Sequence, residues 1–383
     1  MPSVASAAAA NARKVPADLG LVGAFGDLAA GEVTELLAVD LDRDLLLAIQ
    51  RQILRIRVLD TRMVVLQRQG RVGFYGSCTG QEAVPIACGF ALRPGDLAFQ
   101  ALREQAMMLV RGLPLTALVA QTFGNAGDIQ KGRQMPSHPS SKLAGHVSWG
   151  SCIGTQLPQA VGAAWAMKLR KTQDVAMGFT GDGGTSEPDF HSAMTFAGVH
   201  KTPSVIVCQN NQWSISVPTS RQTASPTIAI KGRAYGVPSV RVDGNDVLAM
   251  HLVARDAVAR ARAGEGPTFI EAVTYRIGAH STSDDPTRYR SDEEVKRWAL
   301  RDPIERYHRW LVGKGLTTDA KRAETEAELD LEVIAAIKEV EPLPMPARET
   351  LFDDVYAELP WHLREQREEL LRNPPAPGHE AGH

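Results

Sequence analysis

The sequence predicts an α/β fold, a parallel sheet flanked by helices, followed by a helical C-terminal extension. Short apolar runs alternate with helical patterns between about residues 95 and 275, which is typical of βαβ units. Two of the runs, Val175–Phe179 and Val205–Cys208, lack polar side chains, as do strands that are buried on both faces. Between them, residues 188–200 have helical spacing and begin with a proline, which suits the first turn of a helix.

The other elements follow, in chain order, from apolar periodicity and from turn-forming residues. Helices are predicted at Asp44–Gln69, Gln81–Leu92, Arg103–Arg111, Leu115–Phe123, Thr155–Leu169 and Val247–Arg262. Further strands are predicted at Leu97–Phe99, Gly236–Asp243 and Thr268–Tyr275. Polar loops are predicted at 124–151, 214–227 and 276–303, and a long loop inside a compact domain is usually functional. Beyond them the chain is predicted to be helical and charged, apart from a proline-rich break at Glu341–Ala347.

The chain has 383 residues, of which 44% are hydrophobic, which is enough for one large core or two smaller ones. We divide it into an N-terminal tail (1–40), an α/β domain (41–310) and a helical extension with a second tail (311–383). The N-terminal tail is expected to be disordered or extended, with a short strand or turn. The C-terminal helices are expected to pack on the α/β domain or on a partner chain.

The bulk composition argues against several classes of protein. The formal net charge is −2, so no basic excess indicates nucleic-acid binding, and no apolar run reaches membrane-spanning length. Four cysteines without a CxxC pair are typical of reduced thiols in a cytosolic protein. The N-terminus places Arg13 and Lys14 after its alanine-rich stretch, which does not fit a secretory signal. The expected location is the cytoplasm, or the mitochondrial matrix if this segment is a transit peptide.

A Gly-Asp-Gly and an Asn-Asn follow the two apolar strands, with twenty-six residues between them. Asp182 and Asn211 therefore leave the carboxyl ends of two strands, the edge at which open α/β sheets bind ligands. One carboxylate, one amide oxygen and a nearby backbone carbonyl suit a hard cation but are too few for a full cage. This set fits magnesium that is held mainly through the phosphates of a cofactor. Gly183 and Gly184 would let backbone N–H groups approach those phosphates.

This pairing resembles the thiamine diphosphate signature of the transketolase-like enzymes. Over roughly residues 45–370 the chain resembles the α subunit of the 2-oxo acid dehydrogenase first component, most closely the branched-chain type. The motifs that carry the resemblance are KGRQMPSHP (131–139), TQLPQAVGAA (155–164), GDGGTSEPDFH (181–191), NNQWSIS (210–216), RVDGNDV (241–247), VTYRIGAHSTSDDPTRYRS (273–291) and FDDVYAELPWHLREQ (352–366). The last three favour the branched-chain type over the pyruvate type. The resemblance implies a thiamine diphosphate-binding, transketolase-like fold.

The resemblance also implies roles for the residues that match the family's motifs. They are Asp182, Asn211 and the Trp213 backbone carbonyl for magnesium; Arg103, Gly183, Gly184 and Arg276 for the diphosphate; Ser151 and Ile153 for the aminopyrimidine; and His280 for catalysis. His280 would lie at the mouth of the site, near the reactive carbon and the incoming lipoyl group. Ser281 and Ser291 occupy positions that are phosphorylated in mitochondrial relatives, where a phosphate would add charge and bulk at that mouth.

The sequence departs from the family pattern at three places. Leu102 precedes Arg103 where the family usually has tyrosine, and Gln209 stands where mammalian branched-chain enzymes have arginine. The family's monovalent-cation loop corresponds to residues 150–156, in which Gly150 supplies no hydroxyl although Thr155 and Gln156 are retained. The sequence therefore predicts thiamine diphosphate and magnesium and leaves potassium open.

The implied reaction is oxidative decarboxylation of a 2-oxo acid, of the 3-methyl-2-oxobutanoate type, with reductive acylation of a lipoyl group on the acyltransferase component. In the family a glutamate that activates the cofactor comes from the β subunit, and no motif here assigns that role. The implied partners are therefore a β subunit, in an assembly of two α and two β chains, and the lipoyl-bearing dihydrolipoyl acyltransferase.

Three alternatives remain open at this point. Pyruvate or acetoin could replace the branched-chain substrate within the same family. A dinucleotide-dependent oxidoreductase is a different class, against which the lack of a GxGxxG motif after a strand counts. A non-catalytic regulatory subunit is another, against which the intact Asp182, Asn211 and His280 count.

Overall fold

A computed structural model describes residues 20–22 and 41–373, and within them the predicted α/β architecture is confirmed. The strands are β1 (Gly20–Val22), β2 (Leu97–Phe99), β3 (Ala176–Gly181), β4 (Ser204–Asn210), β5 (Trp213–Ser214), β6 (Val217–Pro218), β7 (Ser239–Asp243) and β8 (Thr268–Val273). The α-helices are α1 (Arg43–Arg68), α2 (Ala83–Ala91), α3 (Gln105–Val110), α4 (Leu115–Phe123), α5 (Gln156–Leu169), α6 (Pro188–His200), α7 (Val247–Arg262), α8 (Asp292–Ala299), α9 (Pro303–Gly313), α10 (Asp319–Val340) and α11 (Trp361–Arg372).

The sheet brings the ends of several strands to one edge. Its order is β1-β7-β8-β4-β3-β2, and every neighbouring pair is parallel. β4 lies between β3 and β8 and pairs with both over most of its length. Asp182, Asn211 and Arg276 follow these three neighbouring strands, so they emerge at the same carboxyl edge.

Most predicted elements are confirmed, and α4 and α7 have the predicted bounds. The prediction of a loop throughout 276–303 is wrong, because α8 begins after its N-cap Ser291. The loop predicted at 214–227 contains the β5–β6 hairpin and a 3₁₀ turn at Thr219–Arg221. Strand β1 lies in the predicted N-terminal tail; residues 1–19, 23–40 and 374–383 fall outside the described residues. The domain boundaries stay a prediction.

Helices α9 and α10 pack on the α/β domain. α1 begins where Asp42 accepts the backbone N–H groups of Asp44 and Leu45, at 2.9 and 3.2 Å, and its apolar face is buried. The main core joins side chains of α1, α2 and α7 with side chains of α9 and α10, among them Tyr307 and Val333. Through the described ranges, no helix is both long enough and apolar enough to cross a membrane.

A segment that we call the C-terminal strap, residues 343–354, fastens the loop that follows α4. The Ala126 backbone N–H donates to the Pro344 carbonyl at 2.8 Å. Lys131 Nζ lies 2.5 Å from Asp354 Oδ2, and Arg133 donates to the Asp353 carbonyl at 2.8 Å. The strap therefore positions the loop formed by residues 126–133, although the two segments are far apart in sequence.

Candidate active site

A cavity of about 410 Å³ lies at the carboxyl edge of the sheet. Its lining includes every residue to which the family resemblance assigns a metal-binding, cofactor-binding or catalytic role: Arg103, Ser151, Ile153, Asp182, Gly183, Gly184, Asn211, Trp213, Arg276 and His280. These residues come from the ends of β3 and β4, from β5, from the segment after β8 and from two loops before α3 and α5. The fold thus gathers the predicted residues around one space of the size typical for a small organic ligand.

Asp182 is a buried carboxylate at the end of β3. Its Oδ2 accepts a hydrogen bond from Gln222 Nε2 at 2.5 Å and another from Thr219 Oγ1 at 3.3 Å. Burial raises the pKa of this carboxyl, and these donors together with the charge of Arg276 lower it in part. A cation beside Asp182 would favour its ionised form.

Asn211 and Trp213 form the other side of the predicted metal site. Asn211 Nδ2 donates to Gln81 Oε1 at 2.9 Å, and Asn211 Oδ1 accepts the Trp213 backbone N–H at 3.2 Å. The Trp213 carbonyl accepts from Arg276 Nη1 at 3.2 Å. The turn is strained, because Gln212 and Ile215 have φ values of 74° and 53°.

Gly183 and Gly184 lie where no side chain fits. A Cβ atom on Gly183 would overlap Ser214 Oγ, and a Cβ atom on Gly184 would overlap Thr180 Oγ1. The two glycines therefore let the segment after β3 pass close to the β5 turn and leave backbone beside the cavity.

The cavity carries positive charge at Arg103 and Arg276, which are both almost fully buried. Arg103 donates to the backbone carbonyls of Ser77 and His280, and Arg276 donates to the Ile215 carbonyl at 2.8 Å. Burial and the neighbouring Arg276 charge lower the pKa of Arg103 to about 10. Burial, Arg103 and Arg276 lower the pKa of His280 to about 4. These shifts indicate a site that favours a polyanion.

The loop that carries His280 is held by its own polar side chains. Arg276 Nη2 donates to the Tyr289 hydroxyl at 2.9 Å, and that hydroxyl donates to Asp284 Oδ2 at 2.5 Å. The same Asp284 oxygen accepts the His280 backbone N–H at 2.8 Å. Arg290 donates to backbone carbonyls of residues 276–278. His280 is therefore positioned by a network that includes Arg276.

Several residues of the site were not singled out from the sequence. They are Gln81, Glu104, His138, Trp149, Thr219 and Gln222. His138 stacks on Trp149 with ring centroids 4.0 Å apart, and its Nε2 lies 2.8 Å from Ser151 Oγ. Burial raises the pKa of Glu104 to about 7. Gln81 and Glu104 stand just before α2 and α3, and a polar residue at such a helix start is the signal that could have identified them.

The departures from the family pattern have structural counterparts. Leu102 lines the cavity, and Gln209 donates from its amide to Glu104. In the loop where the family binds a monovalent cation, Gln156 Nε2 donates to the Phe179 carbonyl at 2.7 Å. Thr155 Oγ1 donates to the Cys152 carbonyl at 3.0 Å. Both retained side chains therefore serve contacts within the chain.

The residues present fit a magnesium diphosphate. In the described part of the chain no cluster of three or more His, Cys, Asp or Glu residues could hold a metal by itself. A metal here would depend on one carboxylate, an amide oxygen and a backbone carbonyl, with the remaining ligands supplied by phosphate oxygens or water. The two buried arginines beside this oxygen set supply the charge that phosphates require.

The charge of the cavity gives a first prediction, on the titration of His280. Without an anion its imidazole is expected to stay neutral down to about pH 4, and added inorganic diphosphate is expected to raise its pKa. The pKa of His280 is lower in the folded protein, at about 4, than its ordinary value of 6.5. The free energy of unfolding should therefore rise as pH rises from about 4 to 6.5, and fall on acidification through the same range. NMR titration of ¹³C-histidine-labelled protein would measure this, with His280→Gln assigning the signal. A His280 pKa near the ordinary value, unmoved by diphosphate, would contradict it.

Comparison with known proteins gives one consistent result. The family model described as "Dehydrogenase E1 component" matches residues 50–349. The chain is 46% identical over 316 residues to the 3-methyl-2-oxobutanoate dehydrogenase subunit alpha of Mycobacterium tuberculosis, covering 82% of this chain and 83% of that protein. It is 42% identical over 339 residues to the 2-oxoisovalerate dehydrogenase subunit alpha of Pseudomonas aeruginosa, covering 86% and 82%. The human mitochondrial 2-oxoisovalerate dehydrogenase subunit alpha is 39% identical over 334 residues, covering 87% and 75%.

Proposed function

Since this chain belongs to the dehydrogenase E1 component family, we propose that it is the α subunit of a thiamine diphosphate-dependent branched-chain 2-oxo acid dehydrogenase. The assembled enzyme decarboxylates a 2-oxo acid oxidatively and acylates a lipoyl group on its acyltransferase partner. One observation carries the proposal: Asp182, Asn211 and the Trp213 carbonyl share a cavity with two buried arginines.

Different residues of the chain bind different parts of the cofactor. We assign magnesium to Asp182, Asn211 Oδ1 and the Trp213 carbonyl, which are hard oxygen donors. Arg103 and Arg276 neutralise the diphosphate, and Gly183 and Gly184 leave backbone N–H groups free of steric obstruction. When bound, thiamine diphosphate supplies the electron sink that decarboxylation needs.

His280 is the residue that we assign to proton handling at the mouth of the cavity. Its burial between two arginines keeps the imidazole neutral at physiological pH, with a pKa of about 4. Because Nδ1 faces the Arg276 guanidinium, the other ring nitrogen carries the proton and can donate a hydrogen bond there. His280 Nδ1 lies 3.4 Å from Arg276 Nη1, which orients the ring. Ser151 and Ile153 line the side of the cavity that we assign to the aminopyrimidine.

We propose that the site is completed by a β subunit, in an assembly of two α and two β chains. The lining carboxylates are Asp182 and Glu104. Glu104 already accepts the Gln209 amide and the Ala101 backbone N–H, so both of its oxygens are engaged within the chain. As the family resemblance implies, we assign the glutamate that activates the cofactor to the β subunit.

Calorimetry of thiamine diphosphate binding tests this function. The αβ complex should bind the cofactor only with magnesium present, and the α chain alone should not turn over substrate. Among branched-chain 2-oxo acids, pyruvate and acetoin, the highest kcat/KM is expected for a branched-chain acid. Cofactor binding that is independent of magnesium, or absent, would reject the proposal and favour a regulatory subunit. A preference for pyruvate or acetoin would change only the substrate.

A further inference from the structure

Helix α8 contacts Trp213, whose backbone carbonyl belongs to the proposed metal site. Glu294 Oε1 accepts the indole N–H of Trp213 at 2.9 Å. The Trp213 side chain is itself buried, in a cluster with Val273, Tyr275 and Trp298, which is a residue of α8. The residue whose backbone carbonyl we assign to the metal is therefore anchored, through its side chain, to a separate helix.

The turn that carries Trp213 needs such an anchor. Gln212 and Ile215 on either side of it have positive φ values, and for a β-branched residue such as Ile215 this conformation is strongly disfavoured. Strained backbone of this kind persists only where its surroundings fix it. Arg276 holds the turn from inside the cavity through the Trp213 and Ile215 carbonyls, and α8 holds it from outside.

Glu294 is positioned for this contact by the start of its own helix. Ser291 Oγ, the N-cap, accepts the Glu294 backbone N–H at 3.2 Å. An acidic residue three positions after a serine N-cap commonly turns back to the cap. Here its carboxylate instead accepts from Trp213, 81 residues earlier in the chain. The cap thus fixes the backbone from which the carboxylate reaches the turn.

We propose that Glu294 is a positioning residue that clamps the strained turn over 212–215, so that the Trp213 carbonyl is held ready for the metal. This inference rests on the metal site of the proposed function. Glu294 does not line the cavity and would touch neither metal nor cofactor. Glu294 acts on the metal through the indole, the turn and the backbone carbonyl of Trp213. Residues that hydrogen-bond to a metal ligand commonly act in this indirect way.

The test measures Mn²⁺ binding to the assembled αβ complex with thiamine diphosphate present, from the EPR signal of free Mn²⁺. Glu294→Ala is expected to raise the Mn²⁺ dissociation constant by about 10- to 100-fold, the usual cost of losing a partner behind a metal ligand. Glu294→Gln should change it by less than about threefold, because an amide oxygen still accepts the indole N–H, at about half the strength. Trp213→Phe keeps the backbone carbonyl and an aromatic side chain but removes the N–H donor, so its Mn²⁺ dissociation constant should match that of Glu294→Ala.

Three further variants separate the possible results. Asp292→Ala removes an exposed carboxylate from the same first turn of α8 and should leave Mn²⁺ binding unchanged. In the double variant, the effects of Trp213→Phe and Glu294→Ala on the Mn²⁺ dissociation constant should not add, because both substitutions remove the same contact. If Asp182→Ala abolishes Mn²⁺ binding but Glu294→Ala and Trp213→Phe leave it unchanged, the clamp proposal is overturned. If Asp182→Ala also bound Mn²⁺ normally, the metal site itself, and the clamp with it, would be wrong. Trp213→Phe decides the question if thermal melting reveals that Glu294→Ala does not fold.

Discussion

Alanine in place of Asp182 is expected to lower 2-oxo acid decarboxylation by the assembled complex at least about 1000-fold, equivalent to about 4 kcal/mol of barrier. Asp182 is the carboxylate in the proposed ligand set, so its loss leaves an amide and a backbone carbonyl to hold the metal. The same variant should lose magnesium-dependent cofactor binding in calorimetry, which separates a failure to bind from a failure of chemistry.

Two companion variants show whether charge or shape is responsible. Asp182→Asn keeps an oxygen that can accept from Gln222 and Thr219 and should still lose most of the activity, because the negative charge is gone. Asp189→Ala, seven residues later in the first turn of α6, should retain activity, since Asp189 does not line the cavity. Decarboxylation within about tenfold of normal in both Asp182 variants would remove the metal assignment, because a lost metal should cost several kcal/mol.

Replacement of Asp243 by alanine is expected to destabilise the α chain by about 3–5 kcal/mol, the usual effect of removing one partner from a buried ion pair. Asp243 Oδ2 lies 3.0 Å from both Arg301 Nη2 and Arg306 Nη1, and all three side chains are at most 2% exposed. Its other oxygen accepts the Asn245 backbone N–H at 2.9 Å. Without the carboxylate, two buried guanidinium groups lose their shared counter-charge.

Urea unfolding followed by circular dichroism measures this difference, and the chain offers a matched control. Asp330 pairs with Arg62 across α1 and α10, where the side chains are 34% and 42% exposed. Asp330→Ala should therefore cost less than about 1 kcal/mol, as exposed ion pairs do. Equal losses of unfolding free energy in the two variants would mean that burial does not determine how much the Asp243 cluster contributes to stability.

Periodicity predicts the long helices and buried strands of this fold well, but not the short charged helix α8. Leu115–Phe123 and Val247–Arg262 have the predicted bounds, because each has a clear apolar face that the domain buries. In α8, five of eight residues are charged, and only Trp298 is buried. Its start at Ser291 depends on a cap and on tertiary contact with Trp213, which periodicity does not reveal.

Only some residues of the candidate site can likewise be predicted from the sequence. Residues whose chemistry follows from their position at a strand end, such as Asp182 and Asn211, can be predicted from a two-strand pattern. The partners that orient them cannot, since Gln222 and Gln81 come from other segments and carry no motif of their own. The strain at Ile215 is equally hidden, because a positive φ at isoleucine contradicts its local preference.

The C-terminal strap has a consequence for the order in which the protein forms during synthesis. Lys131 and Asp354 are 223 residues apart in sequence, so their contact forms only after most of the residues between them have been synthesised. The segment that follows Arg133 includes Met135 and His138, which line the cavity. On the ribosome this wall cannot be fastened until residues 343–354 have emerged. The described sheet strands, the last of which ends at Val273, are therefore all synthesised before the segment that fastens this wall of the cavity.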